Sequence, residues 1–86
     1  SIKTDTKKRT QADPADKKQV GAPIPAMVSA VPVSVGQKIK KNEKLCVLEA
    51  MKMQTTVYAF ADGVIDAITV QVGDQVDAKD LLVQLR

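Results

Sequence analysis

From Gly21 onward this chain repeats itself once without a gap, and that repeat limits the fold more than any other feature. Gly36 and Gly73 stand 37 residues apart (73 − 36), and the same offset pairs Ala22 with Ala59, Ala30 with Ala67, Val33 with Val70, Val35 with Val72, Leu45 with Leu82 and Leu48 with Leu85. It sets apolar against apolar at Met27 and Val64, Val28 and Ile65, Val31 and Ile68, and Ile39 and Val76. Each copy is too short to bury an apolar face of its own, so the two must pack as halves of one core.

Within each copy the apolar residues alternate. Val31, Val33 and Val35 share one face against Pro32 and Ser34, and Ile68, Val70 and Val72 repeat this against Thr69 and Gln71. Pro32 cannot donate a ladder hydrogen bond, which makes its strand an edge at that point. Gly36 and Gly73 mark matching turns, while Asn42 and Lys79 occupy a second pair of turns where positive φ is expected without glycine. Short strands separated by turns predict an all-β domain, a sandwich or flattened barrel. Residues 1–20 are polar, charged and aperiodic, with Asp13-Pro14 and the basic run Lys7-Lys8-Arg9, and are expected to be a flexible arm before a domain at 21–86.

The repeat also locates the most informative lysine. The first copy ends near Leu48 and the second begins near Ala59, so Glu49-Ala50-Met51-Lys52-Met53 lies in the connection. Apolar strand-like runs flank it, and a tight reversal there carries Lys52 at its tip between two thioethers. Large apolar groups gain little burial at a tip, which argues against a packing role for Met51 and Met53.

Composition excludes several classes of function. There is no His and one cysteine, Cys46, inside an apolar run, so neither a zinc site nor an internal disulfide is expected. Tyr58 and Phe60 are the only aromatics and the formal charge is +3, a poor basis for stacking on nucleic-acid bases. No apolar stretch is long enough to span a bilayer and no signal-peptide pattern is present, so a membrane or secreted protein is not expected. No catalytic triad, phosphate loop or dinucleotide fingerprint occurs, and the domain is not expected to be an enzyme by itself.

Ala50-Met51-Lys52-Met53 after a strand closely resembles the attachment motif of biotin carboxyl carrier domains. Gly21-Ala22-Pro23-Ile24-Pro25-Ala26, Gly36-Gln37-Lys38-Ile39, Gly73-Asp74-Gln75-Val76 and Asp62-Gly63-Val64-Ile65 resemble other family segments in register. Departures are Ala26, Asn42 and Lys79 where Gly is usual, and Phe60 where Pro is common. The resemblance implies two four-stranded antiparallel sheets with pseudo-twofold symmetry, the biotinyl/lipoyl fold. It implies biotin on Lys52, with Glu49, Ala50, Met51 and Met53 read by a biotin protein ligase. Lipoyl domains share the hairpin but typically carry Asp-Lys-Ala, so the methionines favour biotin over lipoate.

The approach Ala12-Asp13-Pro14 to Val20-Gly21-Ala22-Pro23, and an end at Arg86 just past the last strand, resemble the C-terminal carrier domain of pyruvate carboxylases. That resemblance implies a carrier taking carboxylate from an ATP-dependent biotin carboxylase site to a carboxyltransferase site, where pyruvate becomes oxaloacetate. The cofactor carries such chemistry and the protein attaches and positions it. Alternatives are the carrier of another biotin-dependent carboxylase or decarboxylase, or a lipoyl-type or free-standing interaction module. The expected partners are the ligase and the two catalytic domains, with a monomeric isolated domain, an oligomeric parent, and a cytoplasmic or mitochondrial-matrix setting.

Overall fold

The computed structural model describes residues 10–13 and 15–86. Eight strands follow in order: β1 Gln19–Gly21, β2 Ala26–Ala30, β3 Lys38–Ile39, β4 Lys44–Ala50, β5 Met53–Tyr58, β6 Gly63–Ile68, β7 Gln75–Val76 and β8 Leu81–Leu85. They form two four-stranded antiparallel sheets of order β1-β8-β6-β3 and β5-β4-β2-β7.

The 37-residue offset turns one sheet into the other. It carries β1 onto β5, β2 onto β6, β3 onto β7 and β4 onto β8, so each sheet holds two strands from each copy. Pairing follows the same rule. Gln19↔Gln84 and Val20↔Val83 become Thr56↔Val47 and Val57↔Cys46, and Ile65↔Leu85 becomes Val28↔Leu48. Even the bulges match, at Val28/Ala30 in one sheet and Ile65/Ala67 in the other. The turns obey it too: Gly36 and Gly73 have φ of 90° and 96°, and Asn42 and Lys79 have 73° and 74°. The Asn42 N–H donates to the Ala59 carbonyl at 2.8 Å, as the Lys79 N–H donates to Ala22 at 2.7 Å. Expected pseudo-twofold halves are therefore present, interleaved strand by strand.

Between the sheets lies an aliphatic core in which Leu45, Leu48, Ile65, Leu82 and Leu85 are the largest fully buried side chains. β-branched and leucine side chains suit such a pleated, two-sided interior. Tyr58 and Phe60 stay about half exposed, at 49% and 53%.

Two expectations need correction. The alternation at residues 31–35 and 68–72 does not mark strands: β2 ends at Ala30, β6 at Ile68, and the following residues are irregular. Val33 and Val70 are buried, but Val35 and Val72 are 63% and 64% exposed. The alternating valines anchor an irregular segment to the core, and Pro32, lacking an N–H, is in no strand whose edge it could occupy. The second correction is the boundary at residue 20. β1 begins at Gln19, and residues 10–12 run beside β8, with Gln11 bridging Asp80. Backbone pairing draws this polar stretch onto the body without an apolar pattern, which hydropathy cannot reveal. Of the expected arm, residues 1–9 and Pro14 lie outside the described residues.

Candidate functional site

β4 and β5 are the longest-paired strands, matched from Lys44↔Tyr58 to Ala50↔Met53. That last pair leaves two residues, Met51 and Lys52, to reverse the chain. Their φ values are +53° and +68°. Positive φ at both central residues is the signature of a type I′ turn, whose twist matches the right-handed twist of the strands it joins. Asn-Gly or Gly-Gly is the usual sequence there. A methionine and a lysine each resist the left-handed region by about 1–2 kcal/mol. The strand register forces the conformation, held by the hydrogen-bonded ladder below it.

The consequence is exposure. Met51 is 94% and Met53 72% exposed, and Lys52 is exposed between them. Among the described residues the Lys52 ammonium has no hydrogen-bond or ion-pair partner. Ala50 is the last residue of β4 to pack against the core, so the tip stands beyond the body. Glu49 is half-buried and lies between Met27 of β2 and Gln54 of β5 in the cross-strand register. The five residues expected to act together therefore do lie together, two ending β4, two in the turn and one opening β5.

Met27, read in the sequence only as the repeat mate of Val64, is also a neighbour of the hairpin. It is 41% exposed and sits directly opposite Glu49, although 22 residues separate them (49 − 27). Only the β2–β4 register reveals that neighbour, and no local motif signals it.

The tip has no catalytic equipment of its own. No group of three or more His, Cys, Asp or Glu among the described residues could hold a metal. A concavity of about 510 Å³ is lined by Gln19, Ala22, Lys41, Asn42, Phe60 and Lys79, among others, and no hairpin residue borders it. Burial pushes the Cys46 thiol above its ordinary value of 9.0, opposite to what a nucleophile needs. An accessible primary amine on a projecting turn can be acylated, and can then enter a site on another surface.

Comparison with known proteins agrees with this. Residues 18–85 match the family model described as biotin-requiring enzyme. The chain is 40% identical to pyruvate carboxylase of Staphylococcus aureus over 99% of its own length and 7% of that relative's. It superposes on the crystal structure of pyruvate carboxylase from Rhizobium etli with a TM-score of 0.75, at 39% identity, over 88% of this chain and 6% of that one. The lipoyl domain of the 2-oxoglutarate dehydrogenase complex from Azotobacter vinelandii gives 0.67 at 30% identity, over 79% of this chain and 94% of that one. The chain thus spans a small fraction of the carboxylases it matches and most of a free lipoyl domain.

Proposed function

This chain belongs to the family of biotin-requiring enzymes as a biotinyl/lipoyl attachment domain, and on that premise we propose that Lys52 carries biotin as the swinging group of a pyruvate carboxylase. The observation that carries this reading is the type I′ turn that holds a partnerless lysine between two methionines exposed to 94% and 72%.

The residues present fit the group. Among the described residues, an amide on the Lys52 Nζ breaks no ion pair and Lys52 is exposed. When bound, biotin supplies a ureido nitrogen that takes up carboxylate at one active site and gives it up at another. The turn fixes where the Lys52 Cα stands, while the lysine stem supplies reach. Met51 and Met53 offer the ligase an apolar, adaptable surface on either side of the amine. Glu49 sets one negative charge on the outer face beside them. Reading of these residues by a biotin protein ligase, rather than a lipoate-attaching enzyme, belongs to the proposal.

So do the parent's domains. In a pyruvate carboxylase the carrier visits a biotin carboxylase domain and a carboxyltransferase domain, which turns pyruvate into oxaloacetate. Tethering of the carrier within the parent keeps the group at high effective concentration for both sites. An oligomeric parent in the cytoplasm or mitochondrial matrix completes the reading.

Intact-mass spectrometry tests it. The 86-residue chain treated with biotin ligase, ATP and biotin should gain one biotin, and Lys52→Ala none. A lipoate ligase with ATP and lipoate should leave the wild type unmodified. An adduct on another lysine of the variant at a comparable rate, or faster lipoylation than biotinylation, would overturn the assignment.

A further inference from the structure

Every leucine of this chain is buried and every methionine is exposed. Met27, Met51 and Met53 are 41%, 94% and 72% exposed, although methionine is among the residues most often fully buried. Two of the three flank Lys52. The third is distant in sequence and reaches the same end of the molecule through the β2–β4 register.

Met27 and Glu49 are opposite partners, and the next pair along, Val28 and Leu48, is fully buried. Side chains alternate along a strand, so Met27 and Glu49 both point outward. The register continues across the sheet, with Gln54 of β5 opposite Glu49 and Gln75 of β7 opposite Met27. Gln54, Glu49, Met27 and Gln75 thus form one outward row over all four strands, in which Met27 is the sole apolar member. The row crosses β4 two residues before the turn (51 − 49), roughly 7 Å below it. An apolar group framed by polar ones is the layout of a recognition anchor. The other half does not repeat it. The 37-residue offset carries the row onto Lys17, Arg86, Val64 and Lys38, and Val64 is half-buried, so the fold itself does not demand an exposed methionine at this place.

Resting on the reading that Lys52 is biotinylated, we propose that Met27 is a recognition residue for that modification, an apolar anchor on which the biotin ligase seats while it acts on Lys52. Attachment is the step that needs such an anchor. The neutral Lys52 amine forms a C–N bond to a carboxyl carbon activated by ATP, the phosphate-bearing activating group leaves with its bonding electron pair, and the nitrogen gives up a proton. Reacting atoms must come within about 3–3.5 Å of each other, so the ligase approaches to one lysine stem from the backbone. Once biotin is attached its length adds to that stem, and a later enzyme acts from farther off. A specific interface draws on about 20–30 residues a side, and the five hairpin residues are too few to form one. Surface beside the hairpin must join them. On the outward face of this sheet Met27 is the large exposed apolar group beside the tip. Tyr58 lies at the far end of β5, and Phe60 follows it into the concavity that no hairpin residue borders. An unbranched thioether also adapts readily to a partner's surface.

Steady-state biotinylation of the 86-residue chain by biotin ligase with ATP and biotin, the chain being the varied substrate, tests this. Met27→Gln keeps the side-chain length and sets no new charge beside Glu49. It should raise KM about fivefold or more and leave kcat within about twofold. Met27→Leu should hold KM near the wild-type value, and Phe60→Gln, the same kind of change away from the hairpin, should leave it unchanged. Acetylation of Lys52 by a small N-hydroxysuccinimide ester, followed by peptide mass, should run at one rate in all of these proteins, because that reagent needs only an exposed amine. Met27→Ala gives the same comparison where glutamine unsettles β2. An unchanged KM for Met27→Gln, an equal rise for Phe60→Gln, an equal rise for Met27→Leu, or slower acetylation of Met27→Gln, which would put the defect in the turn, would each overturn the proposal. A wild type that gains no biotin on Lys52 overturns the reading beneath it as well, whereas a modified wild type with an indifferent Met27→Gln overturns this inference alone.

Discussion

Lys79 shows what the repeat demands of a single residue. Its φ of 74° matches that of Asn42 at 73°, because both must turn their N–H groups onto an alanine carbonyl of the other copy. Lysine has no side-chain reason to favour that region. Lys79→Gly relieves a Cβ clash of about 1–2 kcal/mol and adds about 0.4–1 kcal/mol of unfolded-state entropy. Urea unfolding should therefore find the variant neutral to about 1 kcal/mol more stable; a loss of that size would contradict the left-handed conformation. Cys46 tests burial instead. Its thiol is buried and neutral in the folded state, with a pKa raised by desolvation, so the unfolded chain ionises it first. That contribution is complete below pH 9.0 and is lost as pH rises beyond it. The gap in melting temperature between wild type and Cys46→Ala should be constant from pH 6 to about 8 and narrow above about 9.

At the scale of the element, the β4–β5 hairpin separates stability from recognition. Its ladder and the inward residues Leu48 and Val57 hold it to the core, while Met51 and Met53 touch little. Met51→Asp with Met53→Ala should slow biotinylation severalfold and move the melting temperature by less than about 3 °C, since surface changes stay within about 0.5 kcal/mol. Initial adduct rates and calorimetry on the same samples check both parts. A large drop in melting temperature would mean that the thioethers are structural. The matching ladder in the other sheet is made by β1 and β8, which are distant in sequence, so the fold offers this turn at one of its two equivalent places.

For the whole molecule, interleaving makes the halves equal partners in one core. Leu48 and its mate Leu85 are 0% and 2% exposed, on strands occupying equivalent positions in opposite sheets. Leu48→Ala and Leu85→Ala should each cost about 2–5 kcal/mol, and the two costs should be similar although only Leu48 lies near the hairpin. Chemical denaturation of both variants decides it. A marked asymmetry would show that one half folds as a unit and the other docks on it.

The gapless offset, the aliphatic composition and the turn residues were enough to determine an all-β domain of two symmetric halves with Lys52 between them. Those are local and periodic signals, set by side-chain alternation and by which residues tolerate positive φ. Tertiary structure decided what depends on pairing between distant segments. β2 ends before the alternating valines because ladder hydrogen bonds, not hydropathy, define a strand, and Pro32 has none to give. Residues 10–12 join the body through backbone groups that every sequence possesses. Met27 becomes a neighbour of Glu49 only once two sheets exist to set the register.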